Sequence, residues 1–174
     1  MAASFKKKND YFRANNTKYS INIPRNIDSI DIFTGGFFSV VLKQHRLSIS
    51  LENMLPITSI FEKSNCRKTA FEFLDIIFRY DLTQSPPTQV CDAMFWHAAA
   101  MTKSSLLFKD AHNASIYRNG SLVVYAVDTK GDPFKRVTFA VDLNEPARYL
   151  QILDDGVQKE VWDNVISNIT YLGR

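Results

Sequence analysis

Apolar residues recur in this chain at two different periods, and the order of those periods limits the fold more than any other property of the sequence. His45 to Leu51 alternates, with Leu47, Ile49 and Leu51 on one side and Ser48 and Ser50 on the other. Phe134 to Leu143 does the same, setting Val137, Phe139, Val141 and Leu143 inward and Arg136, Thr138 and Asp142 outward. Tyr19 to Ile23 is a shorter alternating run, closed by Pro24. All three read as half-buried strands. Between the second and third of these runs along the chain the period changes to that of a helix. Ala70, Phe73, Leu74 and Ile77 form one stripe, widened by Phe71 and Phe78. Lys68, Glu72, Asp75 and Arg79 oppose it, with i,i+4 spacing for two weak ion pairs, and Asn65 is the expected N-cap.

The remaining segments fit around this frame. Pro86-Pro87 breaks the chain, and Thr88 can cap a second helix from Gln89 to Met101, at most to Leu107. That helix is apolar nearly all round, which predicts burial or an interface. Phe37 to Leu42 and Leu122 to Val127 are apolar on both faces, as strands interior to a sheet are. Gly35-Gly36 and Lys130 to Pro133 read as turns, and Lys43-Gln44 links a hairpin. Asn119-Gly120 signals a two-residue hairpin with φ above zero at both positions. Glu145-Pro146 opens a short element that fits either a helical turn or an edge strand. Asp155 to Gln158 resembles a capping box for a closing helix striped by Val157, Val161, Val165, Ile169 and Leu172. The order β-β-β-α-α-β-β-β-α predicts one α+β domain over 19–174. Its sheet is mostly antiparallel, of five to six strands, with the two central helices and the C-terminal helix packed on one face. Residues 1–18 are expected to be a loose basic arm.

Charge narrows the partner classes. Residues 1–25 hold six basic side chains (Lys6, Lys7, Lys8, Arg13, Lys18, Arg25) against Asp10 alone, while the rest carries fifteen basic residues against seventeen acids. The formal +3 is therefore a basic arm on a slightly acidic body. No run approaches the roughly 20 apolar residues of a membrane span, and the N-terminus turns basic before an apolar run develops, unlike a signal peptide. Cys66 and Cys91 are expected to be reduced thiols in a cytoplasmic protein, and the sequons at Asn15, Asn113, Asn119 and Asn168 are chance matches in that compartment.

Chemistry-bearing residues were weighed against plainer roles. Cys91 and His97 are six residues apart on one helix, so they point about 120° apart and cannot pair. His97, on the stripe of Val90, Met94 and Met101, is expected to be a core histidine. His45, His97 and His112 lack metal-ligand spacing, Asp154-Asp155 reads as a helix cap, and no serine sits in a nucleophile elbow. A ribonuclease-like set of His45, Arg46, Tyr117 and Arg118 has the right residue types at strand ends, and works only if strand order brings them together. In the arm, Tyr11 and Phe12 interleave with Lys6, Lys7, Lys8, Arg13 and Lys18, a mixture that suits single-stranded nucleic acid. The expected function is therefore non-enzymatic: binding of another macromolecule, foremost a protein, as an inhibitor, immunity protein or adaptor does, or as a homo-oligomer. The alternative is RNA or single-stranded nucleic-acid binding through the arm, with a small nuclease as its enzymatic form. No cofactor or metal is expected.

Overall fold

The computed structural model describes residues 11–15, 18–33, 37–53, 69–86, 90–105, 114–129 and 134–173. Within them lie ten strands: β1 (Tyr11–Asn15), β2 (Tyr19–Pro24), β3 (Ser29–Ile32), β4 (Phe38–Leu42), β5 (His45–Asn53), β6 (Ser115–Asn119), β7 (Leu122–Asp128), β8 (Arg136–Asp142), β9 (Arg148–Asp154) and β10 (Thr170–Tyr171). Three helices accompany them: α1 (Ala70–Arg79), α2 (Val90–Ser105) and α3 (Lys159–Ser167). Seven strands form one antiparallel sheet in the order β3-β4-β5-β9-β8-β7-β6, and β1, β2 and β10 form a second, smaller one. The α+β class and the antiparallel pairing agree with the sequence reading, although the described residues hold more strands than the five to six expected.

The alternation of β7, β8 and β9 explains how the layers assemble. Val123, Tyr125, Val127, Val137, Phe139 and Val141 face one way and pack with Phe73, Leu74, Ile77 and Phe78 of α1 and Phe95 and Ala99 of α2. Leu122, Val124, Ala126, Ala140, Leu150 and Ile152 face the other way, against Val161, Trp162, Val165 and Ile166 of α3 and Tyr19, Ile21 and Ile23 of β2. The helices thus lie on both faces, correcting the one-face expectation. The sequence signal misled because the face carrying Arg136, Thr138 and Asp142 looks solvated, yet all three are buried.

Arg136 is tolerated there because its Nε lies 2.6 Å from Asp154 Oδ2, its Nη2 donates to Val157 O, and its guanidinium sits 5.4 Å over the Trp162 ring. Asp154 Oδ1 also accepts from Gly156 N at 2.9 Å and Val157 N at 2.8 Å. The expected capping box at Asp155 is absent: Gln158 is the N-cap of α3, without a side-chain cap bond, and Asp154 shapes the turn instead. Gly156 is required in that turn, with φ +139 and a Cβ that would meet His45 Nδ1 at 3.0 Å.

Other local expectations shift by small, explicable amounts. Helix α1 starts behind Thr69, whose side chain accepts from Glu72 N while Glu72 reaches back to Thr69 N, a complete capping box. The expected cap Asn65 lies outside the described residues, as do Lys68, Thr88, Gly35-Gly36 and the Lys130–Pro133 turn. The Asp75–Arg79 pair forms as expected. Tyr11–Asn15, within the segment read as an arm, pairs in register with β2. Strand β9, which begins just after the Glu145-Pro146 pair, is a central strand between β5 and β8. The hairpin turns exchange types. Gly120 alone has positive φ in the β6–β7 loop, a type II′ turn with Gly first, whereas Lys43 (φ 49) and Gln44 (φ 73) both adopt it in the β4–β5 loop.

Two stability outcomes follow from this. Left-handed backbone costs an L-residue about 1–2 kcal/mol, and glycine entropy returns about 0.5–1 of that. Gln44→Gly is therefore expected to stabilise the fold by about 0.5–1 kcal/mol, read as a higher urea midpoint at unchanged slope. Arg136→Met leaves the Asp154 carboxylate buried without its cation and is expected to cost about 3–5 kcal/mol. Adding Asp154→Asn, which removes the charge but keeps an acceptor for the turn, should restore part of that loss in the same titration.

Candidate binding groove beside the C-terminal helix

The free end of the seven-stranded sheet and the helix above it enclose a groove of about 980 Å³. Its floor is Leu122 and Val124 of β7, and Ile166 and Ile169 close its inner side. Lys159, Glu160, Asp163, Asn164 and Ser167 of α3 form one wall; Tyr117, Arg118 and Asn119 of β6 form the other, and Tyr11 of β1 reaches in from the small sheet. These positions follow from the local patterns. Tyr117 is the register partner of Val124, so it shares the α3-facing side of the sheet, and it is 53 % exposed. The outer face of α3 carries the polar wall because its apolar face is committed to the core.

The α3 wall of the groove carries one base and two acids. Lys159 Nζ bonds both Asp163 carboxylate oxygens at 2.7 Å, which holds the ammonium above its ordinary range. Glu160 adds the second acid, while Arg118, the register partner of Val123, belongs to the sheet face turned toward α1 and α2 and borders the groove at the strand edge. Asn164 Oδ1 is a buried acceptor with no hydrogen-bond partner among the described residues.

The structure divides the two sets of site residues singled out in the sequence. Tyr11 and Tyr117–Arg118, chosen from different sets, line one groove. His45 and Arg46 do not join them, because β9, β8 and β7 stand between β5 and β6. Four strand spacings of about 4.8 Å separate the pairs by about 19 Å. The ribonuclease-like set of His45, Arg46, Tyr117 and Arg118 is thus split by strand order. At its own end of the sheet, His45 Nδ1 lies 3.4 Å from Asp155 Oδ1. Arg46 reaches Asp31 Oδ2 at 3.5 Å and donates to Ser39 Oγ at 3.2 Å. Both side chains thus already face carboxylates at that end of the sheet.

Lys6, Lys7 and Lys8 lie outside the described residues, as do Cys66 and His112. Arg13 is exposed on β1, and Phe12 is the register partner of Ile23. Cys91 lies on α2. His97 is exposed with Met94 and Met101, correcting its expected core role, because the buried face of α2 is Phe95, Ala99 and Lys103. Lys103 Nζ donates to Tyr80 O at the end of α1, and burial pushes its ammonium down from the ordinary range. Among the described residues no group of His, Cys, Asp and Glu is placed to hold a metal ion, and no helix is long and apolar enough to cross a membrane. The chain matches no protein-family model and no curated protein.

Lys18 is anchored beside the small sheet. Its Nζ lies 3.1 Å from Glu145 Oε2, the oxygen that also accepts from Tyr171 Oη. The Tyr171 bond, then Lys18, hold the Glu145 carboxyl below its ordinary 4.5, and the same bond pushes Tyr171 up to about 12. A carboxyl whose folded pKa is depressed stabilises the fold above its ordinary pKa and loses that contribution as pH falls through its folded value. Glu145→Gln is expected to cost about 0.5–1 kcal/mol at neutral pH, a modest figure because the pair is partly exposed. The gap from wild type in urea titrations should shrink as pH falls below 4.5.

Proposed function

We propose that this protein is a non-enzymatic binding module that holds a polypeptide in the groove between α3 and β6. The observation that carries the reading is the composition of that groove: Tyr11 and Tyr117 beside an apolar floor, with a mixed-charge rim of Lys159, Glu160 and Asp163. Tyr is enriched where protein interfaces concentrate their binding energy, since it combines a large contact area with a directed polar group.

Nucleic-acid binding through the arm is the less favoured reading. Of its basic residues, Lys18 is engaged with Glu145, and the groove that Tyr11 lines carries two acids, Glu160 and Asp163, against Lys159. Inhibitor, immunity and adaptor roles share the chemistry proposed here and differ only in the partner. A cytoplasmic setting belongs to the same reading.

The test uses tagged full-length protein in extracts of its native host. Ser167→Trp would fill the groove from α3, whereas Met101→Asp alters an exposed residue of α2 on the opposite layer. A captured protein should fall at least about tenfold with Ser167→Trp and remain with Met101→Asp, equivalent to about 1.4 kcal/mol or more of binding energy. Capture indifferent to Ser167→Trp would refute the groove as the binding surface.

A further inference from the structure

The hydrogen-bond phase of the seven-stranded sheet fixes what its two outer strands offer. Leu143 N donates to Ser121 O, and Thr129 N donates to Lys135 O. Ser121 and Thr129 flank β7 at odd positions, so the odd residues of β7 exchange hydrogen bonds with β8. Its even residues, Leu122, Val124 and Ala126, are left to bond Asn119, Tyr117 and Ser115 of β6. The backbone N–H and C=O groups of Ile116 and Arg118 therefore point outward, with no partner among the described residues. At the opposite edge, Phe33 N donates to Phe37 O, and the same reasoning turns Ile30 and Ile32 of β3 outward.

We infer that the β6 edge pairs with β6 of a second copy of this chain, antiparallel, about a two-fold axis through Tyr117, joining the two seven-stranded sheets into one. This rests on the polypeptide-binding reading in one respect, since it names a second copy as a polypeptide held at the rim of the groove. The register is self-complementary. Outward groups must meet outward groups, which sets Ile116 opposite Arg118 of the second copy and Arg118 opposite its Ile116. Both strands then overlap over all five residues. Tyr117 faces its own counterpart, an aromatic cross-strand pair, and Ser115 faces Asn119. No like charges stand directly opposite one another. The β3 edge lacks this property: the register that matches Ile30 with Ile32 of a second copy opposes Asp31 to Asp31, a destabilising pair. The two outer strands among the described residues thus differ in kind, one with an acid at its centre and the other with a tyrosine there.

The experiment combines light scattering after size exclusion with sedimentation velocity over a micromolar concentration range. Wild type should be a dimer. Ile116→Pro and Arg118→Pro each remove an N–H that no described residue accepts, so the fold should survive, as circular dichroism would report. The dimer should weaken at least about tenfold from the two bonds lost per complex. Ile32→Pro, the matching change at the β3 edge, should leave it intact. Tyr117→Asp and Tyr117→Lys provide a second route that needs no proline: each alone should be monomeric through like-charge opposition, and mixing them should restore a heterodimer. A monomeric wild type, a dimer indifferent to the β6 prolines, or charge variants that fail to rescue each other would overturn the inference. Ser167 belongs to the α3 wall of the groove and takes no part in the β6 backbone pairing, so a monomeric wild type would leave the groove test standing.

Discussion

The Asp154 carboxylate is the constraint on which the α3 side of this structure depends. It is fully buried in the strand β9, and a charge in that position persists only with a cation and hydrogen bonds arranged around it. Arg136 supplies the cation from β8, and the backbone N–H groups of Gly156 and Val157 complete the shell. The second set of bonds shapes the turn that launches α3, and the Arg136–Trp162 contact seats the helix on the sheet. One ion pair thereby fixes the register end of two central strands, the direction of α3 and the position of the groove wall. Asp155, next in sequence, extends the tie outward by accepting from Arg46 N at 2.7 Å on β5.

How much of this could be read from the sequence depended on whether a pattern had one physical cause. The β4–β5 and β6–β7 hairpins and the α1 stripe were legible from their burial periods, although the two hairpins differ from the sequence in which turn residues take positive φ. Strand β8 was legible as a strand and misread as to its faces, since Arg136, Thr138 and Asp142 look solvent-facing unless their partners are known. Those partners, Asp154 for Arg136 and Ser121 for Asp142, are eighteen and twenty-one residues away in the chain. Strand β9 was obscured by Pro146 just before it and by Gln151 within it. Strand β1 was hidden by composition: in Tyr11–Asn15 the polar residues that suggest a loose arm are those of a strand in a small, partly exposed sheet.

The groove was legible only in pieces. Tyr11 drew notice as part of a basic aromatic arm, and Tyr117 and Arg118 as strand-end residues of a catalytic type. Their convergence needed the order β9-β8-β7-β6 and the docking of β1 on β2, both set by contacts distant in sequence. The wall residues Lys159, Glu160, Asp163 and Asn164 gave no signal at all, because a polar helix face reads as solvated whether it borders a groove or open water. His97 failed for the opposite reason. A helix with few polar residues predicts burial or an interface; among the described residues α2 buries Phe95, Ala99 and Lys103 and leaves Met101 74 % exposed.

The two faces of the large sheet differ in what they bury, and the groove lies on the face that also buries polar groups. Toward α1 and α2 the sheet presents Val137, Phe139 and Val141 with the stacked pair Phe78 and Tyr125, an interface of aromatic and branched side chains. Toward α3 the same strands bury Arg136, Thr138, Asp142 and Asp154. Thr138 Oγ1 has no hydrogen-bond partner among the described residues, a burden of about 1–3 kcal/mol for a buried hydroxyl. Part of the apolar energy on that face is therefore offset by polar groups it must satisfy.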